Sequence, residues 1–177
     1  MHSRSESLGF MVEEFRIFGR SLTFRSRQTS FRAYQALWRA RMLNFLTSRK
    51  FSAGENLLYS LAADSYLLAA FFAPHDLTPK VIRQMQLAAE HFKVGSAIDP
   101  PTLQQLRFLG RGEANELSHP IMATEHLLLS VLRHEPKSAA LLAGKGIHYD
   151  EVRKAVEKGL SSQYIEIRIP RVRFYEH

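Results

Sequence analysis

The chain contains no cysteine in its 177 residues, which excludes disulfides, thiolate metal sites and cysteine nucleophiles and fits a reducing compartment. It has no run of about 18 apolar residues either. The longest candidate, Leu57 to Ala73, is interrupted by Asp64 and Ser65, so no membrane-spanning helix is expected. The nine glycines never form a phosphate-binding loop: Gly144-Lys145-Gly146 lacks both the upstream glycine and the Ser or Thr that would hold Mg²⁺. ATP hydrolysis is therefore not expected. Acidic residues are scarce in one region only. Residues 1 to 50 hold ten Lys or Arg and three Glu, residues 51 to 160 hold eleven basic and twelve acidic side chains, and the last seventeen hold three and two. The net charge of +7 belongs to the N-terminal end, and the rest of the chain is close to neutral.

What is present is enough for a core, since 45% of the residues are hydrophobic. It is also repeated. A shift of 70 positions without a gap places Ala53, Glu55, Leu57, Leu58, Ser60, Ala69, Ala70 and Ala73 under Ala123, Glu125, Leu127, Leu128, Ser130, Ala139, Ala140 and Ala143. Ser48, Ile82 and Arg83 fall under Ser118, Val152 and Arg153. Such a match indicates one helical unit duplicated and stacked, although two apolar helices can also resemble each other by chance. The paired glutamates are the part that hydrophobicity alone does not require.

The periodicity predicts an all-α body of two tandem four-helix repeats, residues 31–94 and 99–160. In Phe31 to Thr47 the residues Phe31, Tyr34, Leu37, Trp38, Met42, Phe45 and Leu46 recur at three- and four-residue spacing, as a buried stripe does. Ser52 and Glu55 have capping-box spacing for a helix to about Ala63. A short helix follows from Ser65 to Ala73, stopped by Pro74, and Thr78-Pro79 opens another to about Phe92. Asp99, Pro100 and Pro101 restart the pattern with Leu103, Leu106, Leu109 and Leu117 inward, weakened by Gly110 and Gly112. Helices over Ala123–Arg133, Pro136–Ala143 and Asp150–Leu160 complete it, with Gly144 and Gly146 at a turn.

Two segments flank this body. Residues 1–30 mix Ser and Arg with Phe10, Phe15, Phe18 and Phe24, and read as a solvated arm, a partner or membrane-surface contact, or a targeting segment. Glu13 and Glu14 weigh against a transit peptide. In residues 161–177, Ile165, Ile167 and Ile169 alternate with Glu166 and Arg168 before Pro170, which predicts an extended tail, an edge strand or an addition to a partner's sheet.

No catalytic set emerges. Ser130 lies in Leu-Leu-Ser-Val without a glycine elbow and reads as a packing residue. The eight histidines offer no i, i+4 pair with a third ligand, so no metal and no cofactor are expected. Glu55 and Glu125 each fall in the first turn of a helix, where the dipole favours a carboxylate by roughly 0.3–1 kcal/mol. Capping alone would account for either.

The second copy carries more. Ala-Thr-Glu-His-Leu-Leu-Leu-Ser-Val-Leu from Ala123, Ser-Ala-Ala-Leu-Leu-Ala-Gly-Lys-Gly-Ile from Ser138 and Val-Arg-Lys-Ala-Val from Val152 resemble the amino-terminal repeat domain of the Clp unfoldases, closest to the ClpC and ClpA type. The resemblance covers about Phe31 to Leu160. It is weaker in the first copy, where Gly54-Glu55-Asn56 stands in place of Thr-Glu-His. It implies a pseudo-twofold pair of four-helix repeats that docks substrates and adaptors for an AAA+ motor. The chain ends before a motor could begin, so the expectation is a free-standing domain, like the motor-less Clp accessory proteins of plastids and some bacteria. The implied function is a non-enzymatic adaptor or accessory protein in chaperone-linked proteolysis and protein quality control. Its implied partners are a Clp unfoldase or protease core and phosphoarginine-marked or unfolded substrates, in the cytoplasm or the plastid stroma. In ClpC-type domains the motif glutamate helps to bind phosphorylated arginine, which makes Glu55, Glu125 and Thr124 candidate ligand-binding residues here. A carboxylate would pair with the guanidinium while helix-start amides face the phosphoryl group. The competing expectation is a nucleic-acid or anionic-surface binder acting through the basic arm.

Overall fold

The computed structural model describes residues 12–17, 20–25, 29–47, 50–90 and 100–163. The body is all-helical, as the periodicity predicts. The segment read as an arm contributes an antiparallel hairpin, β1 (Val12–Ile17) and β2 (Arg20–Arg25), with Phe15 opposite Leu22 and Ile17 opposite Arg20. Its sequence signal is the period-two spacing of Phe15 with Ile17 and of Leu22 with Phe24. That signal is masked by Arg16, Arg20 and Arg25 among and beside them.

Helix α1 (Phe31–Leu46) begins at Ser30, whose hydroxyl accepts from the Ala33 amide at 3.3 Å. The Ser30 amide in turn donates to the Met122 carbonyl at 2.8 Å, tying the start of α1 to the approach of a later helix. Its buried face differs from the expectation. Ala33, Ala36, Leu37 and Ala40 point inward, while Tyr34, Trp38, Met42, Phe45 and Leu46 are exposed. Two apolar stripes compete in this helix, and the alanine stripe takes the inside because it lets α1 approach closely.

Helix α2 (Ala53–Ala62) has the expected capping box: the Glu55 amide donates to Ser52 Oγ at 3.1 Å, and Ser52 N–H donates to Glu55 Oε2 at 2.7 Å. After a 75° bend, Asp64 caps α3 (Ser65–Leu67), which continues as a π-helical turn (Leu68–Phe72) and a 3₁₀ turn (Ala73–His75). Pro74 does not end the segment but lies within the 3₁₀ turn, and the chain leaves through Asp76 at φ 56°. Helix α4 (Pro79–Glu90) follows, with Thr78 Oγ1 accepting from the Val81 amide at 3.3 Å.

Helix α5 (Leu103–Glu116) starts later than the two prolines suggest, because Thr102 and Gln105 form its capping box. It runs unbroken through Gly110 and Gly112. At Gly110 a Cβ would lie 3.0 Å from Leu127 Cδ2, so the missing side chain is what allows α5 to pack on its neighbour. That neighbour is α6 (Thr124–His134), followed by α7 (Pro136–Ala143) and α8 (Tyr149–Gln163). Of the two glycines after α7, only Gly146 needs its freedom, at φ +78°; Gly144 is ordinary right-handed helix. Helix α8 runs three residues past Leu160 into the segment read as tail, and the isoleucine alternation lies outside the described residues.

The core forms around α2 and α6. Every residue from Thr124 to Leu132 is buried, as are Gly54 to Leu58 and Ser60 to Ala62. Ser130 is among them, its hydroxyl donating to the Leu127 carbonyl at 2.8 Å. Among the described residues, no single helix is long and apolar enough to cross a membrane. Leu58 and Leu128 are fully buried. Replacing either with alanine is expected to cost about 2–5 kcal/mol in urea denaturation, and an unchanged midpoint in both variants would refute this core.

Candidate functional site

The candidate ligand residues sit at the starts of the two central helices, in two different settings. Glu55 is 6% exposed and its carboxylate is taken up by the Ser52 amide. Its carbonyl accepts from Gln86 Nε2 at 2.8 Å. Beside it, Gly54 lies against the side chain of Glu135, which occupies the space where a Cβ would stand. Glu135 is buried, accepts from the Ser138 amide at 2.6 Å and receives Ser52 Oγ at 3.3 Å, so it caps α7 and clasps the start of α2 together.

Glu125 and Thr124 lie at the start of α6. Met122 O, which would otherwise open the helix as Ser52 O opens α2, accepts from Ser30 instead. Under the 70-position shift the helix therefore begins one residue later than α2, and the capping is done by His126 rather than by the glutamate. His126 Nδ1 accepts from the Ala123 amide at 2.9 Å. Glu125 is 5% exposed, its nearest side-chain bond a long one from Thr124 Oγ1 at 3.4 Å. Burial pushes its pKa up, against the lowering effects of backbone and Thr124 hydrogen bonds; Asp64 raises it further and Arg32 lowers it. The Tyr66 hydroxyl is raised for the same reason, by burial and then by Glu125 and Asp64. The start of α6 is thus within electrostatic reach of Asp64 and Tyr66, while the start of α2 packs against that of α7. The two glutamates therefore lie in two separate settings, and both are almost wholly buried.

His126 is fully buried, and its Nε2 lies 2.7 Å from His119 Nδ1, the rings meeting edge-on. Because Nδ1 accepts, the proton sits on Nε2 and donates to His119. Desolvation, then the neighbouring His119, brings the His126 pKa down to about 4. Near Asn56, which the 70-position shift places under this histidine, a different network forms. Its Nδ2 donates to Asn44 Oδ1 at 2.7 Å, and its Oδ1 accepts from Arg83 Nη2 at 3.1 Å. The Arg83 guanidinium lies over the rings of Phe51 and Tyr59, at 4.1 and 4.4 Å.

Sequence reading missed the surface on α1. Tyr34, Trp38, Arg41 and Phe45 follow one another at i, i+4, i+7 and i+11 and share a face about 120° from the alanine stripe. Trp38 is 43% exposed and Phe45 79%. Between this face and α5 runs a groove of about 560 Å³, lined by Tyr34, Leu37, Trp38, Arg41, Leu103 and Arg107 among others. Arg41 within the aromatic spacing was the available signal that the face looks outward.

No protein-family profile and no curated protein matches this sequence. The fold has a solved counterpart. A chain from a structure described as "Preliminary structural investigations of a malarial protein secretion system" superposes with a TM-score of 0.58 at 17% identity, over 77% of this chain and 98% of the other. At that identity the likeness concerns the fold alone.

Two predictions follow from the helix starts. A histidine held at about pKa 4 when folded and about 6.5 when unfolded contributes stability fully present above pH 6.5 and lost as pH falls toward 4. Unfolding free energy is expected to fall by up to about 3 kcal/mol across that window, and His126→Gln to flatten the profile; identical pH profiles in urea would exclude this origin. Gly54→Ala, which drives a methyl group into Glu135, is expected to destabilise by about 1–3 kcal/mol, read as a lowered melting temperature.

Proposed function

We propose that this chain is a non-enzymatic adaptor or accessory protein of a Clp-type chaperone-protease, binding substrate, motor or protease core through a double-repeat helical domain. The observation that carries a protein-binding function is the exposed apolar face of α1, where Trp38, Met42, Phe45 and Leu46 stand in solvent on a folded core. Contiguous apolar surface of this kind marks interaction sites. The Clp assignment rests on the resemblance of the Thr124-Glu125-His126 motif and its following segments.

In this reading α1–α4 and α5–α8 are two repeats related by a pseudo-twofold axis. Two relations support it: the start of α2 packs on that of α7, and Glu125 at the start of α6 lies within electrostatic reach of Asp64 before α3. The solved counterpart supports a domain of this shape, and its description places that protein in a malarial secretion system. Phosphoarginine-marked or unfolded proteins are candidate substrates, with Glu55, Glu125 and Thr124 as the residues to change.

A second reading assigns function to the basic arm, as a binder of nucleic acid or anionic surfaces. The hairpin favours it to the extent that Arg16, Arg20 and Arg25 fall within one two-stranded ribbon, an element that fits a DNA major groove. Salt separates the two, because phosphate contacts weaken steeply with ionic strength whereas apolar docking does not. Affinity capture from the source organism is expected to recover a Clp ATPase or protease subunit, with the intact chain and with a version lacking residues 1–30, in low and in high salt. Recovery of nucleic acid or lipid alone, dependent on residues 1–30 and lost in high salt, would replace this reading with the second.

A further inference from the structure

We propose that the groove between α1 and α5 is a docking site for an acidic amphipathic helix of another protein. This deepens the protein-binding reading above and does not depend on the partner being a Clp motor. The groove's apolar wall is Tyr34, Leu37 and Trp38 from α1 and Leu103 from α5. Beyond it, Phe45 extends the same face, and Phe108, 76% exposed, stands on α5 one residue past Arg107. The spacing of Tyr34, Trp38, Arg41 and Phe45 is that of a seam between two helices, so a helix laid alongside α1 would meet a row of anchors. With 16 residues, α1 offers such a partner about 24 Å.

Charge selects the partner. Among the described residues, Arg41 and Arg107 line the groove and no carboxylate does. Helix α1 has no Asp or Glu along its length. On α5 the nearest acidic residues, Glu113 and Glu116, are engaged at the far end with Arg133 and Arg153. Complementary charge fixes both the choice and the register of a bound helix. The same argument disfavours occupants from this chain. Residues 1–30 hold five Arg against three Glu, residues 161–177 three Arg against two Glu, and the α1 face of a second copy is itself basic. An occupant with leucine-like residues at three- and four-residue spacing and Glu or Asp on the flanks satisfies both the wall and the rim.

Trp38 is the single tryptophan of the chain, so its emission reports this groove directly. The full-length protein is titrated with a synthetic 21-residue helix bearing Leu at a and d heptad positions and Glu at the flanks, and with the same helix bearing Lys in place of Glu. The expected result is a saturable blue shift with the acidic helix, at least tenfold weaker binding of the basic one, and at least tenfold weakening by Arg41→Glu combined with Arg107→Glu. Calorimetry on Phe45→Ala gives an independent readout, expected to show at least fivefold weaker binding. Equal binding of both helices, no binding of either, or affinity unchanged in the double arginine variant would overturn the proposal. So would a blue shift that grows with protein concentration alone, which identifies a second copy, or acidic-helix binding that appears only after residues 1–28 or 164–177 are removed, which identifies an internal occupant. Acidic-helix binding without capture of any Clp subunit would leave the groove standing and remove the Clp assignment; Clp capture unaffected by the arginine variant would do the reverse.

Discussion

The structure depends on the near-complete burial of α2 and α6. A helix enclosed on all sides has no solvent to satisfy its first amides or its polar side chains, so each such group must find a partner inside the protein. That requirement explains several residues that resemble catalytic or ligand-binding groups. Glu55 closes the amide of Ser52, His126 closes the amide of Ala123, Ser130 returns its hydroxyl to the Leu127 carbonyl, and Asn56 bridges Asn44 and Arg83. Glu125 has less compensation, and desolvation dominates its titration.

The same burial bears on why the two central helices start differently. In the first, the capping carboxylate and Ser52 are sufficient for the helix start. In the second, the diversion of Met122 to Ser30 displaces the helix by one residue and hands the capping to a histidine. Residues aligned by sequence therefore do not have equivalent chemistry, although their apolar neighbours Leu57, Leu58, Leu127 and Leu128 are equally buried.

Much of this was legible in the sequence. Capping at Ser52 and Glu55, proline at the start of α4 and the leucines of both central helices are local or periodic features, and all were found at their positions. What escaped was relational. Tyr34, Trp38 and Phe45 have the spacing of a core stripe, and only the competing alanines at 33, 36 and 40 decide which stripe goes inside. The capping of α5 by Thr102 was hidden behind a stronger signal from two prolines. Glu135 gave no signal, since its partner at Gly54 lies 81 residues away in sequence. The π-helical turn after α3 reflects packing of Leu67 and Phe72 in the core, which no propensity encodes.

Gly54 and Glu135 also bear on how such a chain can be taken apart. A shift of 70 positions puts Thr124 at the place of Gly54 and Ser65 at the place of Glu135. A protein assembled from two second halves would set a threonine against a glutamate in a space that holds only one of them. One assembled from two first halves would leave that space to a serine and a glycine, with no carboxylate to span it. Each half of the helical body is shaped to a residue that only the other half supplies.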